Sequence, residues 1–521
     1  MKRFLLFVLT AAMILSVSAC GNKIQNSDFS DKKEEEQTVK ATSDEPMTGL
    51  ELWSFEIGKD GDISEFIEPY KDSGLGYIDF GILWSSFEVE KGKYNWTFVD
   101  SVVDQIINAG FSVGATLVLW TNGLSFKEDL ELQKTADGEV YAYDESRKDF
   151  PSLTKKENLE TIYDTVSAFA VHFSEKYSDK TVLFRVITSP FGDSGYTADA
   201  DVDYSESAIS AFVSYLSEKY KTTDAFSENY PFSLSSFDDL KNEDPKKLTS
   251  TCLYEWKTFK QKTLSDFCKE TVNIFKKADP NCPTELVFGG VEDTKTAVYR
   301  GFYDPYAVSE TVGADIYATT WENDIPLDFF VSYLSDTTES KVGFTVYEED
   351  LTEENRKTFA EEIAKSANIS RICFDFSEAT AENLSFIKSV SENLKAEKTD
   401  SREKNREAIF VNTADIILRN PAKNLYLSLK EQYETVTADG KSAAFITDTK
   451  LGELIPENEV TALRTGTSGK NCYFTEDTAK VLIELQVPIY CAENGNFEIK
   501  KQNGSSFDGE TAAALKSLFK N

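Results

Sequence analysis

The stretch Phe98-Val-Asp-Ser-Val-Val-Asp-Gln-Ile-Ile-Asn-Ala-Gly-Phe-Ser-Val-Gly-Ala-Thr-Leu-Val-Leu-Trp120 holds the reading of the whole chain. Its first half has helical period. Phe98, Val99, Val102, Val103, Ile106 and Ile107 fall on one stripe, and Gly110 ends the helix. Its second half changes character. From Val113 to Leu119 it is almost wholly apolar, as a strand covered on both faces must be. A helix that feeds such a strand is one turn of a parallel α/β sheet.

The same unit recurs on both sides. Eight strands are predicted: Leu50 to Ile57, Tyr77 to Trp84, Ser112 to Trp120, Val182 to Thr188, Glu285 to Gly290, Ala314 to Thr319, Val342 to Tyr347 and Arg371 to Phe376. Helices are predicted at Leu159 to Tyr177 and at Thr352 to Ala367, the latter capped by Thr352 with Glu353 and Glu354 in its first turn. Eight such units predict a (β/α)₈ TIM barrel over residues 47–398; an open doubly wound sheet is the alternative. One insertion, Thr197 to Pro280, follows the fourth strand, with helices at Ser205 to Tyr220 and Cys252 to Lys277. A charged linker, Lys395 to Arg406, precedes a smaller α/β domain over 399–521, read as flavodoxin-like. It lacks a phosphate-cradling glycine loop, so a structural or oligomerisation module is favoured over a second active site.

The first 20 residues read as an export signal, with Lys2 and Arg3 ahead of a mostly apolar run from Phe4 to Val17. Val17-Ser18-Ala19-Cys20 resembles the lipobox of bacterial lipoproteins, which implies lipidation of Cys20 and anchoring on the extracytoplasmic face of the cell membrane. Plain secretion after cleavage near Ala19 is the alternative. Residues 21–46 are polar and charged and predict a disordered acidic tether. The 521-residue chain has a formal net charge of −34, which argues against nucleic acid and against docking on an anionic membrane, so membrane contact is expected through the lipid alone.

The chemistry is bounded by what is scarce. The single histidine, His172, lies mid-helix beside Phe169 and Phe173, where packing is its expected role. Ser-His-Asp catalysis and histidine metal sites are thereby disfavoured. The seven cysteines form no C-x-x-C pair. No metal and no cofactor are implied, and carboxylates are the leading candidates.

In a TIM barrel the active site lies at the C-terminal ends of the strands. That rim carries Trp53 and Glu56; Trp84, Glu88 and Glu90; Trp120 and Asn122; Asp193; Glu292 and Asp293; Trp321 and Glu322; Glu348 and Glu349; and Asp375. Four of the six tryptophans, Trp53, Trp84, Trp120 and Trp321, therefore fall at one end, where indole faces can stack on sugar rings. Capping of the barrel core is the competing role. Glycoside hydrolysis needs two carboxyl groups flanking the scissile bond, and the ends of strands four and seven face one cavity.

Trp84-Ser-Ser-Phe-Glu-Val-Glu-Lys-Gly-Lys-Tyr-Asn-Trp96 followed by Val99-Asp100 resembles the second strand and helix start of clan A glycoside hydrolase barrels. It is similar to family 42 β-galactosidases and family 14 β-amylases. Ser189-Pro-Phe-Gly-Asp-Ser-Gly-Tyr196 resembles the β-amylase segment bearing the acid, which implies that role for Asp193. Phe344-Thr-Val-Tyr-Glu-Glu-Asp350 resembles the segment bearing the base, which implies Glu348 as nucleophile or base. Strand alternation is a competing guide: if Gly343, Thr345 and Tyr347 face inward, Glu349 is favoured instead. The layout of barrel plus α/β domain is also that of family 42, whose second domain mediates trimer formation, so a homo-oligomer through the C-terminal domain is implied.

There are departures. Where family 42 carries an Asn-Glu pair, Ser189-Pro190 stands, and Trp120-Thr-Asn-Gly replaces the histidine loop of β-amylases. Two readings follow. One is a glycoside hydrolase acting on oligosaccharides or polysaccharides at the cell surface through Asp193 and Glu348, with Trp53, Trp84, Trp120, Trp321 and Glu349 binding substrate. The other is a catalytically inactive sugar-binding lipoprotein on a degenerate barrel. A scaffold assembled through the C-terminal domain is a third.

Overall fold

The computed structural model describes residues 45–58, 60–145, 147–289, 294–321, 325–396, 407–418, 425–453, 460, 462–465, 470–491 and 497–520. The export signal, Cys20, nearly all of the tether, Glu292, Asp293, Glu322 and most of the charged linker lie outside the described residues. Eight parallel strands close into a barrel: β1 (Met47–Trp53), β2 (Tyr77–Leu83), β3 (Ser112–Val118), β4 (Thr181–Ile187), β5 (Thr284–Val287), β6 (Ile316–Thr320), β7 (Lys341–Tyr347) and β8 (Ile369–Asp375). Direct pairing of β1 with β8 excludes the open sheet. The strands lie where the apolar runs place them, with ends shifted by a few residues.

The barrel axis is filled by side chains that alternate along each strand. Glycines on one strand make room for rings from another. A Cβ on Gly49 would lie 2.3 Å from the Tyr77 ring, and one on Gly81 would lie 2.3 Å from the Trp53 ring. Tyr77 therefore fills one level and Trp53 another, with charged side chains between them. Outside the strands, the helix Thr97–Asn108 turns Val99, Val102, Val103 and Ile106 to the core, as its stripe predicts. Thr352 caps the helix Glu353–Lys365 by accepting from Asn355 N–H, and Ser205 caps Glu206–Tyr220 by accepting from Ala208 N–H.

The Trp84–Trp96 segment is tied down by one carboxylate. Glu88 accepts from Trp84 Nε1 at 2.7 Å, Thr165 Oγ1 at 2.6 Å and Gly92 N–H at 2.7 Å. Trp96 lies flat between Phe87, at 4.5 Å, and His172, at 4.0 Å. His172 also bonds Asp100 at 2.7 Å.

The C-terminal region carries β9 (Glu407–Val411), β10 (Ala443–Thr447), β11 (Leu463–Thr465), β12 (Asn471–Phe474), β13 (Ile489–Cys491), β14 (Glu498–Lys501) and β15 (Phe519–Lys520). Five of these form a parallel sheet in the order β10-β9-β11-β13-β15, and β12 pairs with β14 alone. Phe445 on β10 joins this sheet to the barrel. Its ring meets Phe329 and Tyr333 of the helix Leu327–Thr338 edge-on at 5.4 Å each, and stacks on Tyr433 at 5.9 Å. Its N–H donates to Asp336 at 3.1 Å.

A buried acid and a half-buried one share the same joint. Asp304 caps the helix Pro305–Val312 and accepts from Thr449 at 3.1 Å, while Asp448 accepts from Thr413 at 2.9 Å. Burial pushes Asp304 up to about 6 and Asp448 up to about 7, the latter helped by the Asp304 charge.

Phe445→Ala empties the centre of this aromatic cluster. The expected loss is about 3–5 kcal/mol of unfolding free energy, read as a lower urea midpoint.

Candidate active site

The charged layer inside the barrel comes first, because the mouth is built on it. Arg185 on β4 reaches Asp79 at 3.1 Å, Glu51 at 3.3 Å and Glu285 at 3.4 Å, and donates to Thr116 at 2.7 Å. Arg371 on β8 pairs with Glu285 through its Nε and donates to Tyr77 OH at 3.1 Å. Thr116 donates in turn to Asp79 at 2.6 Å. All five charged side chains are buried.

Two guanidiniums thus face three carboxylates, and one carboxylate is in excess. Glu51 is that group. Its Oε1 meets Arg185 and Thr345, while its Oε2 accepts no hydrogen bond from the described residues. Burial pushes Glu51 from 4.5 up to about 7, Arg185 opposing and the charges of Asp375 and Asp79 adding to the rise. Glu51, Asp79 and Cys373 come close enough to hold a metal ion, but two guanidiniums already supply the positive charge there.

Above this layer sits an aromatic wall. Trp53 lies between Gly81 and Gly192. Phe55 stacks on Trp53 at 5.8 Å and on Trp120 at 5.7 Å, forming one slab. Trp120 is fixed by donating to the Ser189 carbonyl at 3.0 Å. A second aromatic pair stands on the neighbouring loops: Tyr143, 39 % exposed, meets Phe191 edge-on at 4.8 Å, with Arg147 over the Tyr143 ring.

The four rim tryptophans divide. Trp53 and Trp120 belong to the slab at the mouth. Trp84 is fully buried, against Phe126. Trp321 turns to the helical layer and meets Phe359 edge-on at 4.8 Å.

The two acids carried by the motifs also have defined places. Asp193 is buried. One oxygen accepts from Arg300 Nε at 2.9 Å and the other from Gly195 N–H at 2.9 Å. Burial pushes its carboxyl up against the opposing pull of Arg300. Glu348 follows β7 in a short 3-10 turn, Glu348–Asp350. Its carboxylate accepts from Ser377 N–H at 3.0 Å, Ser377 Oγ at 2.8 Å and Asn383 Nδ2 at 2.9 Å, so it is held on the β8 loop and the helix Ala381–Lys395. Partial burial works against ionisation, yet these hydrogen bonds hold its pKa below the ordinary value. Glu349 is exposed.

The inward residues of β7 are those that alternation names. Thr345 donates to Glu51 at 3.5 Å, and a Cβ on Gly343 would sit 3.0 Å from Glu285. Tyr347 feels the charges of Glu51, Asp375 and Arg185 and lies beside Gly192 and Trp53. Tyr347, Phe55, Arg185, Arg300 and Glu51 were not singled out as site residues from sequence. For Tyr347 the signal existed in the strand's period; for the arginines it did not.

Comparison with known proteins agrees with this architecture. Residues 53–300 match the family model of family 42 glycoside hydrolases, described as Beta-galactosidase. Over these residues the chain resembles family 42 glycoside hydrolases. The β-galactosidase from the psychrophilic Marinomonas ef1 aligns with TM-score 0.67 at 14 % identity, over 91 % of this chain and 79 % of that one. The β-galactosidase of the haloarchaeon Halorubrum lacusprofundi aligns with TM-score 0.70 at 14 % identity, over 91 % and 76 %. The catalytic domain of β-amylase from Paenibacillus polymyxa aligns with TM-score 0.53 at 13 % identity, over 68 % of this chain and 99 % of that one. No curated protein matches the sequence.

The excess carboxylate gives a stability prediction. The folded-state pKa of Glu51 lies above its unfolded value, so its contribution is complete below about pH 4.5 and is lost as pH rises through about 7. The loss is on the order of 3 kcal/mol. Asp304 and Asp448 titrate in the same direction and window. Glu51→Gln keeps an acceptor for Arg185 and removes one of these three terms. Urea unfolding at pH 5 and pH 8 should show a shallower fall for the variant and a higher midpoint than wild type at pH 8.

Proposed function

We propose that the protein binds oligosaccharides at the C-terminal mouth of its glycosidase-type barrel, without hydrolysing them through Asp193 and Glu348. One observation carries this reading: both acids are already engaged by partners within the protein. Asp193 is sealed against Arg300 and Gly195, and Glu348 is fixed to Ser377 and Asn383. A glycosidase needs both carboxyls at the scissile bond, one of them free to give a proton to the leaving oxygen. What remains there is the edge of the Trp53–Phe55–Trp120 slab, in which Trp53 and Trp120 are buried and Phe55 is half-buried, and this aromatic edge supports binding of a sugar.

The second reading is hydrolysis of oligosaccharides by the same two acids. The family match supports it, as does the contrast between an acid whose pKa is raised and one whose pKa is lowered. Display on the extracytoplasmic face through lipid on Cys20 belongs to the proposal and rests on Val17 to Cys20. The C-terminal sheet supports a flavodoxin-like assignment, since β9, β10, β11, β13 and β15 numbered in chain order give 2-1-3-4-5. We assign it a structural role, with self-association through this region testable by light scattering.

A panel of nitrophenyl glycosides and neutral oligosaccharides separates the two readings. The binding reading expects no turnover by wild type, with saturable binding to at least one oligosaccharide that Trp120→Ala weakens about tenfold or more. Turnover by wild type that Asp193→Asn or Glu348→Gln abolishes establishes the hydrolase instead. Metabolic labelling with palmitate should mark the wild-type chain, and Cys20→Ala should lose the label.

A further inference from the structure

The joint between the barrel and the C-terminal sheet has two halves of different chemistry. One is the aromatic cluster around Phe445. The other is polar and lies where β9 and β10 end. Asp448 follows β10, and its neighbour Thr449 donates across the joint to Asp304 at 3.1 Å. Asp304 belongs to the barrel side. It caps the helix Pro305–Val312, is 3 % exposed, and its N–H donates to Gln261 at 3.0 Å. Gln261 stands on the insertion helix Leu253–Ala278. Asp448 is held from the C-terminal side. It accepts from Thr413 Oγ1 at 2.9 Å and Thr478 Oγ1 at 3.5 Å, on the helices Thr413–Leu418 and Glu476–Leu485. Each side of the joint thus supplies one carboxyl, and Thr449 links the two.

The donors to this pair are neutral: Thr449 and the Ala307 N–H at 3.2 Å for Asp304, Thr413 and Thr478 for Asp448. The other groups that face it do not offset its charge. Tyr254 on the insertion helix feels both acids, and Tyr303 and Tyr306 feel Asp304; burial keeps all three phenols neutral. Lys450, two residues past Asp448, pairs with Glu339 and stands over the Tyr306 ring at 4.6 Å. Two carboxylates in such a place repel each other through a medium of low dielectric. A proton on one of them removes the repulsion and adds a hydroxyl donor. The helix N-terminus favours the charged form at Asp304, so Asp448 is the group that takes the proton. Their titration has the same order, with Asp304 at about 6 and Asp448 at about 7.

We propose that Asp304 and Asp448 form a proton-operated clasp between the barrel and the C-terminal domain, closed while Asp448 is protonated and loosened when both are ionised. Loosening releases the end of β10 and the helix Thr413–Leu418 from the barrel side. The Phe445 cluster carries no such pair and keeps the two parts attached. Both carboxyls hold their protons more tightly in the closed joint than in water. The contribution of the clasp is therefore complete below the ordinary carboxylate range and is lost as pH rises through about 6 and then about 7. The clasp acts whatever the mouth of the barrel binds.

Amide hydrogen exchange on the full mature chain at pH 5 and pH 8 tests this, with rates corrected for the intrinsic pH dependence of exchange. Wild-type amides over 413–418 and 445–450 should lose about tenfold or more of their protection at pH 8. Asp448→Asn fixes the neutral form and should keep that protection within about twofold of its pH 5 value. Asp304→Asn retains a capping side chain and should act in the same direction. Glu51→Gln, which alters only the titration inside the barrel, should leave the loss at the joint in place. Should Asp448→Asn fold poorly, the wild-type titration decides: a loss centred between about pH 6 and 7 supports the clasp, and one centred below pH 5 overturns it. Protection equal at pH 5 and pH 8, a loss that Asp448→Asn leaves unchanged, or one that Glu51→Gln abolishes, also overturns it.

Discussion

Two arginines inside the barrel, Arg185 and Arg371, hold three carboxylates between them, and the rest of the mouth depends on that mismatch. Four of the five charges neutralise one another through direct contacts. The fifth, Glu51, also touches Arg185, but burial pushes its carboxyl up to about 7. Such a layer is expensive to bury and is not a source of stability by itself. Its effect is to fix which side chains stand above it. With Tyr77 filling the level of Gly49 and Trp53 the level of Gly81, the axis is closed from inside.

Closure from inside also explains the separation of aromatic roles. Four tryptophans near strand ends looked equivalent in sequence, yet only Trp53 and Trp120 stay at the mouth. Trp84 follows β2 into a 3-10 turn and is drawn inside by its bond to Glu88. Trp321 follows β6 and is drawn outward by Phe359. Position at a strand end fixes height along the barrel axis. Direction is fixed by the first partner after the strand, and that partner is remote in sequence.

The barrel itself was legible because strands buried on both faces leave continuous apolar runs, of which Val113 to Leu119 is the plainest. Even the inward set of β7 could be deduced from Val342, Phe344 and Val346 alternating with Gly343, Thr345 and Tyr347. Much of the C-terminal sheet was not legible. Leu463–Thr465 and Phe519–Lys520 are three and two residues long, too short to show any period. Nor could the partner of Asp193 be foreseen. Arg300 lies 107 residues away on a helix whose approach depends on the loop after β5.

The motif resemblances carry different weights once the contacts are known. The tryptophan, glutamate and glycine of the Trp84 segment are joined to one another and to Thr165, so the pattern is a tie between a strand end and a helix. A chain that keeps this tie keeps the fold, whatever chemistry it performs. The segment after β7 is a different case, because the function implied there depends on side-chain direction at one residue. Tyr347 is the last strand residue and points inward; the 3-10 turn begins at the next, and Glu348 leaves on the other side to meet Asn383. A sequence match aligns backbone positions and does not settle this, since a turn that starts one residue earlier or later exchanges the inward and outward groups. In this chain the turn starts just after the tyrosine, and that single step of register sets Tyr347 inward and Glu348 outward.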